Sequence, residues 1–255
     1  MNKYKKINVL NALFLREMQT RFGSKSMGYF WVFVDAMAQI MMFSAIKLYL
    51  FENTLVGVDY SVFLTIGFLS YYLFKNIINK SMNAYEANQG LFVYRQVKLL
   101  DAILSRIVVE VFISSLVLMV FIFIGWFLEF DLEVSNLLNL ILYLGWFVLF
   151  AMSLGLLFAV LGRYFENFSK AIGLIFLPLF FFSGLFYTIE SLPPIAQNIL
   201  LYNPIVHFIE AIHGSYFEVL TLKYVDHTYM LFWTMIPLFL GMFLYNSTKD
   251  RILSS

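Results

Sequence analysis

The chain has 255 residues, of which 61% are hydrophobic and 13% charged, with a mean hydropathy of +0.80. A water-soluble domain is near half apolar and a quarter charged, so this composition excludes a lone soluble domain, a nucleic-acid binder and a disordered chain. Seventeen Lys and Arg against 16 Asp and Glu leave a net charge of +1, too small to steer a partner, and zero cysteines exclude disulfides, iron–sulfur clusters and thiolate zinc sites.

In chain order, Tyr4–Phe22 comes first. It spaces Ile7, Leu10, Leu13, Phe14 and Met18 by threes and fours among Lys and Arg, the pattern of an amphipathic helix lying in a membrane interface. A bilayer core of about 30 Å takes about 20 apolar residues of helix. Six stretches reach that length: Tyr29–Phe51, Tyr60–Lys80, Ile103–Leu128, Leu137–Gly162, Phe168–Tyr187 and Thr228–Tyr245. The first has no small-residue cleavage site after it and reads as a retained span, not a signal peptide. The fifth contains Pro178 and runs into Ser183-Gly184, signs of a kinked or split span. Ser191–Val225 is too polar to span; its Pro193-Pro194 and Asn203-Pro204 predict short helices separated by turns. The expected fold is an all-α membrane protein of one domain with six transmembrane helices. An amphipathic segment covers 1–28, the six-helix membrane domain 29–245 with outer-side re-entrant or short helices before the last span, and a tail 246–255.

Orientation follows the basic residues. Lys3, Lys5, Lys6, Arg16, Arg21 and Lys25 precede the first span; Lys80, Arg95, Lys98 and Arg106 belong to the second connection; Arg163 and Lys170 lie in the fourth, and Lys249 and Arg251 in the tail. The other side carries Lys223 alone among nine carboxylates. Both termini are therefore expected in the cytoplasm.

The phosphate-cradling pattern G-x-x-x-x-G-K-[ST] is absent, as are H-E-x-x-H and G-x-S-x-G, so neither a nucleotide site nor a catalytic residue is expected in this chain. His207 and His213 are six apart, about 120° around a helix, and would flank a face without converging on one ion. No metal site is expected there, and the segment reads as a polar outer-interface helix. Asp35, inside the first span, either pairs with Arg16 or Arg21 or stands at a subunit seam or substrate entrance. Lys75 either snorkels or meets an anionic substrate group. The aromatic clusters that include Tyr71 and Tyr72, and Phe181, Phe182 and Tyr187, are candidates to line a passage, because ring faces and phenol hydroxyls suit the C–H faces and hydroxyl edges of a sugar chain.

The run Leu15-Arg16-Glu17-Met18-Gln19-Thr20-Arg21-Phe22-Gly23 followed by Gly28-Tyr29-Phe30-Trp31 resembles the N-terminal signature of ABC-2 type polysaccharide-export permeases, most nearly the inner-membrane permease of ABC-dependent capsular polysaccharide exporters. Asn88-Gln89-Gly90-Leu91 through Gln96–Asp101, Phe182-Ser183-Gly184 with Ser191-Leu192-Pro193, and Tyr202–His207 resemble further family segments in the same order. Two departures stand out: Asp35 is followed by Ala36 where the family usually has proline, and His213 occupies a place where arginine is common.

The resemblance implies a bacterial inner-membrane, multi-pass homodimer paired with two separate ATPase subunits, which would hold ATP and magnesium; this chain itself carries no cofactor. The implied cargo is lipid-linked capsular polysaccharide, with periplasmic and outer-membrane export proteins as further partners and no nucleic acid. The loop Tyr85–Asp101 is then the candidate coupling element, through Glu86, Asn88, Leu91, Arg95, Val97, Lys98 and Asp101. Arg16, Arg21, Lys25, Tyr29, Trp31 and Asp35 would form the substrate entrance. Ser183, Gly184, Asn203, Pro204, His207 and His213 make up the outer-side motif, and Tyr71, Tyr72, Lys75, Phe181, Phe182 and Tyr187 the candidate channel lining. Open alternatives are a same-class exporter of O-antigen, teichoic acid or a small molecule, a membrane enzyme of glycan assembly, and an ion-coupled secondary transporter.

Overall fold

A computed structural model describes residues 3–22, 34, 38, 58–92, 97–165 and 167–254. Among them there is no strand, and four helices are long and apolar enough to cross a membrane: Tyr60–Met82, Leu99–Phe127, Leu137–Leu161 and His227–Ser247. These match four of the six expected spans to within a few residues. Of the expected first span, Tyr29–Phe51, only Val34 and Ala38 are among the described residues.

Helix α1, Lys3–Phe22, is amphipathic as its spacing requires, and packs against the helix Leu99–Phe127. Leu13 is buried and Leu10, Phe14, Glu17 and Met18 are half-buried, whereas Ile7 and Leu15 are exposed. The inward stripe 10–13–14–17–18 thus includes one carboxylate. Helix α2, Tyr60–Met82, starts at Asp59, whose side chain accepts the Ser61 and Val62 N–H groups. Such a cap satisfies two of the four donors that a helix start leaves unpaired. Two-thirds of its apolar window is buried, so α2 is the core helix of this protomer. Helix α3, Leu99–Phe127, is the opposite case. Met119, Phe123, Trp126 and Phe127 are more than half exposed, the pattern of a helix whose outer face meets lipid or another subunit.

Helix α4, Leu137–Leu161, is capped by Asn136 and packs against α2 and against two later helices, α7 (Pro204–Tyr216) and α8 (His227–Ser254). A methyl group on Gly155 would come within 2.8 Å of Ser81, so the α2–α4 crossing requires glycine there. Above the crossing, Phe74 stacks on Phe147 at 4.9 Å, and Phe150 on Phe208 of α7 at 5.0 Å.

The fifth expected span does not form as one helix. Helix α5 is Phe168–Phe181, 14 residues, and reaches about 21 Å at 1.5 Å per residue, short of a bilayer core. Pro178 removes one rung, and the chain then turns through Gly184 at φ +75°, a left-handed conformation that favours glycine. Short elements follow: a 3-10 turn at Ile189–Ser191, α6 at Pro194–Leu200 and α7 at Pro204–Tyr216. The last helix, α8, runs His227–Ser254 with Pro237 inside it.

The expectation of a polar interface helix around His207–His213 is corrected. Every residue from Ile205 to His213 is buried, because α7 is walled in by α2, α4 and α8. Even its last carbonyls are used: Tyr216 and Ser215 accept N–H groups from Ser135 and Asn136, each at 2.9 Å.

Candidate functional site

Polar side chains gather at the two ends of α2. At its C-terminal end α1, the turn Glu86–Leu91, the start of α3 and the end of α4 meet. The inward stripe of α1 carries Glu17 to α3, where its Oε2 lies 3.4 Å from Arg106 Nε; both side chains are largely buried, 14% and 7% exposed. Arg106 also donates through Nη1 to the Lys80 carbonyl at 2.8 Å, serving one of the acceptors that the end of α2 leaves open. One residue earlier on α1, Arg16 points elsewhere. Its Nη1 donates to Asn88 Oδ1 at 2.8 Å and its Nη2 to the Ala87 carbonyl at 3.4 Å. Asn88 is buried and donates in turn to the Ala84 carbonyl at 2.9 Å, so the turn is fixed from inside and from α1. On its other flank the Arg163 guanidinium, just past α4, sits 3.8 Å from the centre of the Tyr85 ring, which stacks on Phe92 at 5.5 Å.

Of the expected coupling residues, Asn88 and Asp101 are therefore internal. The Asp101 carboxylate accepts the Lys98 backbone N–H at 3.2 Å and starts α3. Glu86 and Lys98 are exposed and Leu91 and Val97 half-buried, which leaves a mixed apolar and charged surface on the loop. Arg95 lies outside the described residues. Of the expected entrance residues, Arg16 spends its guanidinium on the turn. Lys25, Tyr29, Trp31 and Asp35 lie outside the described residues, as does the side chain of Arg21. Sequence reading singled out neither Tyr85 nor Arg163 as partners. Glu17 was within reach of such reading, since it lies four residues from Leu13 on the apolar stripe.

The candidate lining residues separate. Tyr71 is enclosed, with its hydroxyl donating to the Phe176 carbonyl, and so joins α2 to α5. Tyr72 and Lys75 are half-buried, the ammonium 5.7 Å from the Tyr72 ring. Phe181 and Phe182 are about half exposed, and Tyr187 donates to the Phe181 carbonyl at 3.1 Å. Phe180 connects the group, within 5.5 Å of Tyr71 and 6.3 Å of Tyr72.

At the other end of α2 the outer-side motif comes together around α7. Asn203 accepts the Ile205 N–H at 3.0 Å, with Pro204 in the first helical turn, where no N–H is needed. Its amide donates to the Phe182 carbonyl at 2.9 Å and to Ser183 Oγ at 3.1 Å, while Ser183 donates back to the Leu179 carbonyl. His207 accepts the Asp226 N–H on Nδ1, which leaves Nε2 to donate to the Leu201 carbonyl at 2.9 Å. Glu210 accepts the Ile189 N–H at 2.7 Å, and its burial pushes the carboxyl up to about 7. His213 donates from Nε2 to the Phe63 carbonyl at 3.1 Å and stacks on the Phe63 ring at 3.9 Å. Complete burial pushes its imidazole down to about 3, so it is held neutral. The two histidines thus serve different carbonyls. One end is a caged helix, beside which the Tyr143 hydroxyl lies 2.7 Å from His227 Nε2; the other is a tethered turn.

Residues 8–217 match the ABC-2 type transporter family. The chain is 33% identical over 246 residues to the polysialic acid transport protein KpsM of Escherichia coli, covering 96% of this chain and 95% of that protein. It is 28% identical over 250 residues to the capsule polysaccharide export inner-membrane protein BexB of Haemophilus influenzae, covering 96% and 92%. It is 27% identical over 238 residues to the capsule polysaccharide export inner-membrane protein CtrC of Neisseria meningitidis serogroup B, covering 92% and 88%.

Proposed function

This chain belongs to the ABC-2 type transporter family, and from that premise we propose that it is the membrane subunit of an ATP-driven exporter of capsular polysaccharide. The observation that carries the reading is similarity over nine-tenths of the chain, not a shared segment, to proteins named for capsule polysaccharide export or polysialic acid transport. In this reading two copies pair in the inner membrane with two ATPase subunits, which bind ATP and magnesium. The polymer, carried on a lipid, passes from cytoplasm to periplasm and on to export proteins of the outer envelope.

The basic residues support placing the turn Glu86–Leu91 and both termini in the cytoplasm. There the loop offers Leu91 and Val97 for apolar contact, with Glu86 and Lys98 beside them to set register on an ATPase surface. The chain's part in the energy coupling is to hold that loop against α1, α3 and α4 so that ATPase movement reaches the helices. The exposed Phe181 and Phe182, beside the half-buried Tyr72 and Lys75, supply ring faces, a phenol and a cation suited to a polymer with apolar faces and acidic or hydroxyl edges.

Deleting the gene and locating the polysaccharide tests the reading. Polymer retained in the cytoplasm and absent from the surface is the expected result. Absence of polymer everywhere would point to an assembly enzyme, and unchanged surface polymer to another cargo.

A further inference from the structure

Three facts converge on Tyr85. The Arg163 guanidinium lies over its ring at 3.8 Å, well inside the distance of about 6 Å at which a cation is drawn to a ring face. Tyr85 stacks on Phe92 with the ring planes only 11° apart, and these two rings bracket the turn Glu86–Leu91 on both sides. Arg163 stands two residues beyond α4, the helix that packs against α2, α7 and α8. Helix α4 has 25 residues, a rod of about 37 Å at 1.5 Å per residue. At its middle Phe147 and Phe150 stack on Phe208 of the caged helix α7, at 5.1 and 5.0 Å, and at its far end the Asn136 N–H donates to the Ser215 carbonyl of α7 at 2.9 Å. One helix therefore has one end beside the turn and its middle and other end against α7.

We infer that Tyr85 and Arg163 are positioning residues for energy coupling: the stacked joint passes displacement of the turn to α4, and α4 carries it to α7. The inference rests on the permease reading given above. A planar guanidinium on a ring face slides without losing contact, unlike a salt bridge with one favoured geometry. The joint therefore transmits a push while letting the turn rotate. The same geometry predicts which chemistry is dispensable. The phenol hydroxyl of Tyr85 is not part of the stack, whereas the ring face and the planar cation are.

The test uses the permease together with its own ATPase. Surface polymer, ATP hydrolysis and membrane abundance are measured for Tyr85→Phe, Tyr85→Leu, Arg163→Lys and Arg163→Gln. Tyr85→Phe should export as the parent does. Tyr85→Leu and Arg163→Gln should lose about tenfold in export per ATP hydrolysed, within the range for residues on a coupling path. Arg163→Lys should fall between, since it keeps the charge and loses the plane. Should Tyr85→Leu lose abundance, the Arg163 pair decides, because that half-buried side chain is anchored outside the helix core. Parental export per ATP in Arg163→Gln overturns the inference, as does a Tyr85→Phe defect equal to that of Tyr85→Leu. If gene deletion abolishes surface polymer while these variants export normally, the joint alone is wrong; if deletion leaves surface polymer unchanged, the permease reading itself fails.

Discussion

The two ends of the bundle hold their polar groups in different ways. Around α7, Asn203, His207, Glu210 and His213 bond almost wholly to backbone groups: the carbonyls of Phe182, Leu201 and Phe63 and the N–H groups of Ile189, Ile205 and Asp226. A backbone partner has no rotamer to change, so that end can move only as a body. Around the turn Glu86–Leu91, contacts join side chains or loop atoms from segments far apart in sequence: Arg16 to Asn88, Glu17 to Arg106 and Arg163 to Tyr85. Long side chains can follow a displaced partner, so this end yields while staying connected. In the proposed reading ATPase movement enters at the turn, and compliance there with stiffness around α7 would pass that movement on without deforming α7.

The contact that departs most from this division is Glu17–Arg106, since it is buried although it belongs to the compliant end. Removing one partner of a buried ion pair leaves the other charge uncompensated, at a cost of about 3–5 kcal/mol. Glu17→Arg or Arg106→Glu should therefore empty the membrane of the protein as well as the surface of polymer. The double reversal should recover part of both. Recovery stays partial because the bond from Arg106 to the Lys80 carbonyl has no replacement. Immunoblots of membranes beside surface-polymer assays would show it.

At the stiff end, Gly184→Val should lower abundance, since a branched residue at φ +75° is strained by about 1–2 kcal/mol. Asn203→Ala should cost about 1 kcal/mol through the lost cap, and more because the Phe182 carbonyl loses its donor. Arg16→Ala removes contacts worth about 0.5–1.5 kcal/mol, but from the compliant end. Its abundance should stay near parental while export falls. If instead Asn203→Ala spares abundance and Arg16→Ala lowers it, the division between the two ends is reversed.

Much of the fold was legible because hydropathy over 20 residues and threes-and-fours spacing are local signals. They place α1, α2, α3, α4 and α8, and Asn203-Pro204 announces the start of α7. The break after α5 was legible as well, in Pro178 and Ser183-Gly184. Two features were not local. The burial of α7 depends on three other helices, and its His and Glu residues suggest a wet surface until their backbone partners are known. Finally, Arg16 has a basic residue's choice between cargo and protein, and only the fold brings Asn88, 72 positions away, within reach.

A separate effect comes from protons and sets Glu210 and His213 against each other. Glu210 binds its proton more tightly folded, at about 7 against 4.5 unfolded, so it stabilises fully below pH 4.5 and loses that contribution as pH rises toward 7. His213 binds its proton less tightly folded, at about 3 against 6.5. Its contribution is complete above pH 6.5 and is lost as pH falls toward 3. Between pH 4.5 and 6.5 the two slopes have opposite signs. Thermal midpoints of the detergent-solubilised protein, taken as variant minus parent, should therefore rise with pH for Glu210→Gln and fall with pH for His213→Gln. Each trend should amount to a few degrees for a chain of this size. Arg16→Ala should leave the difference flat, because its contacts involve neither group. Parallel slopes for the two α7 variants would mean that at least one of these groups meets solvent, and the stiff end would then not be the closed body its hydrogen bonds describe.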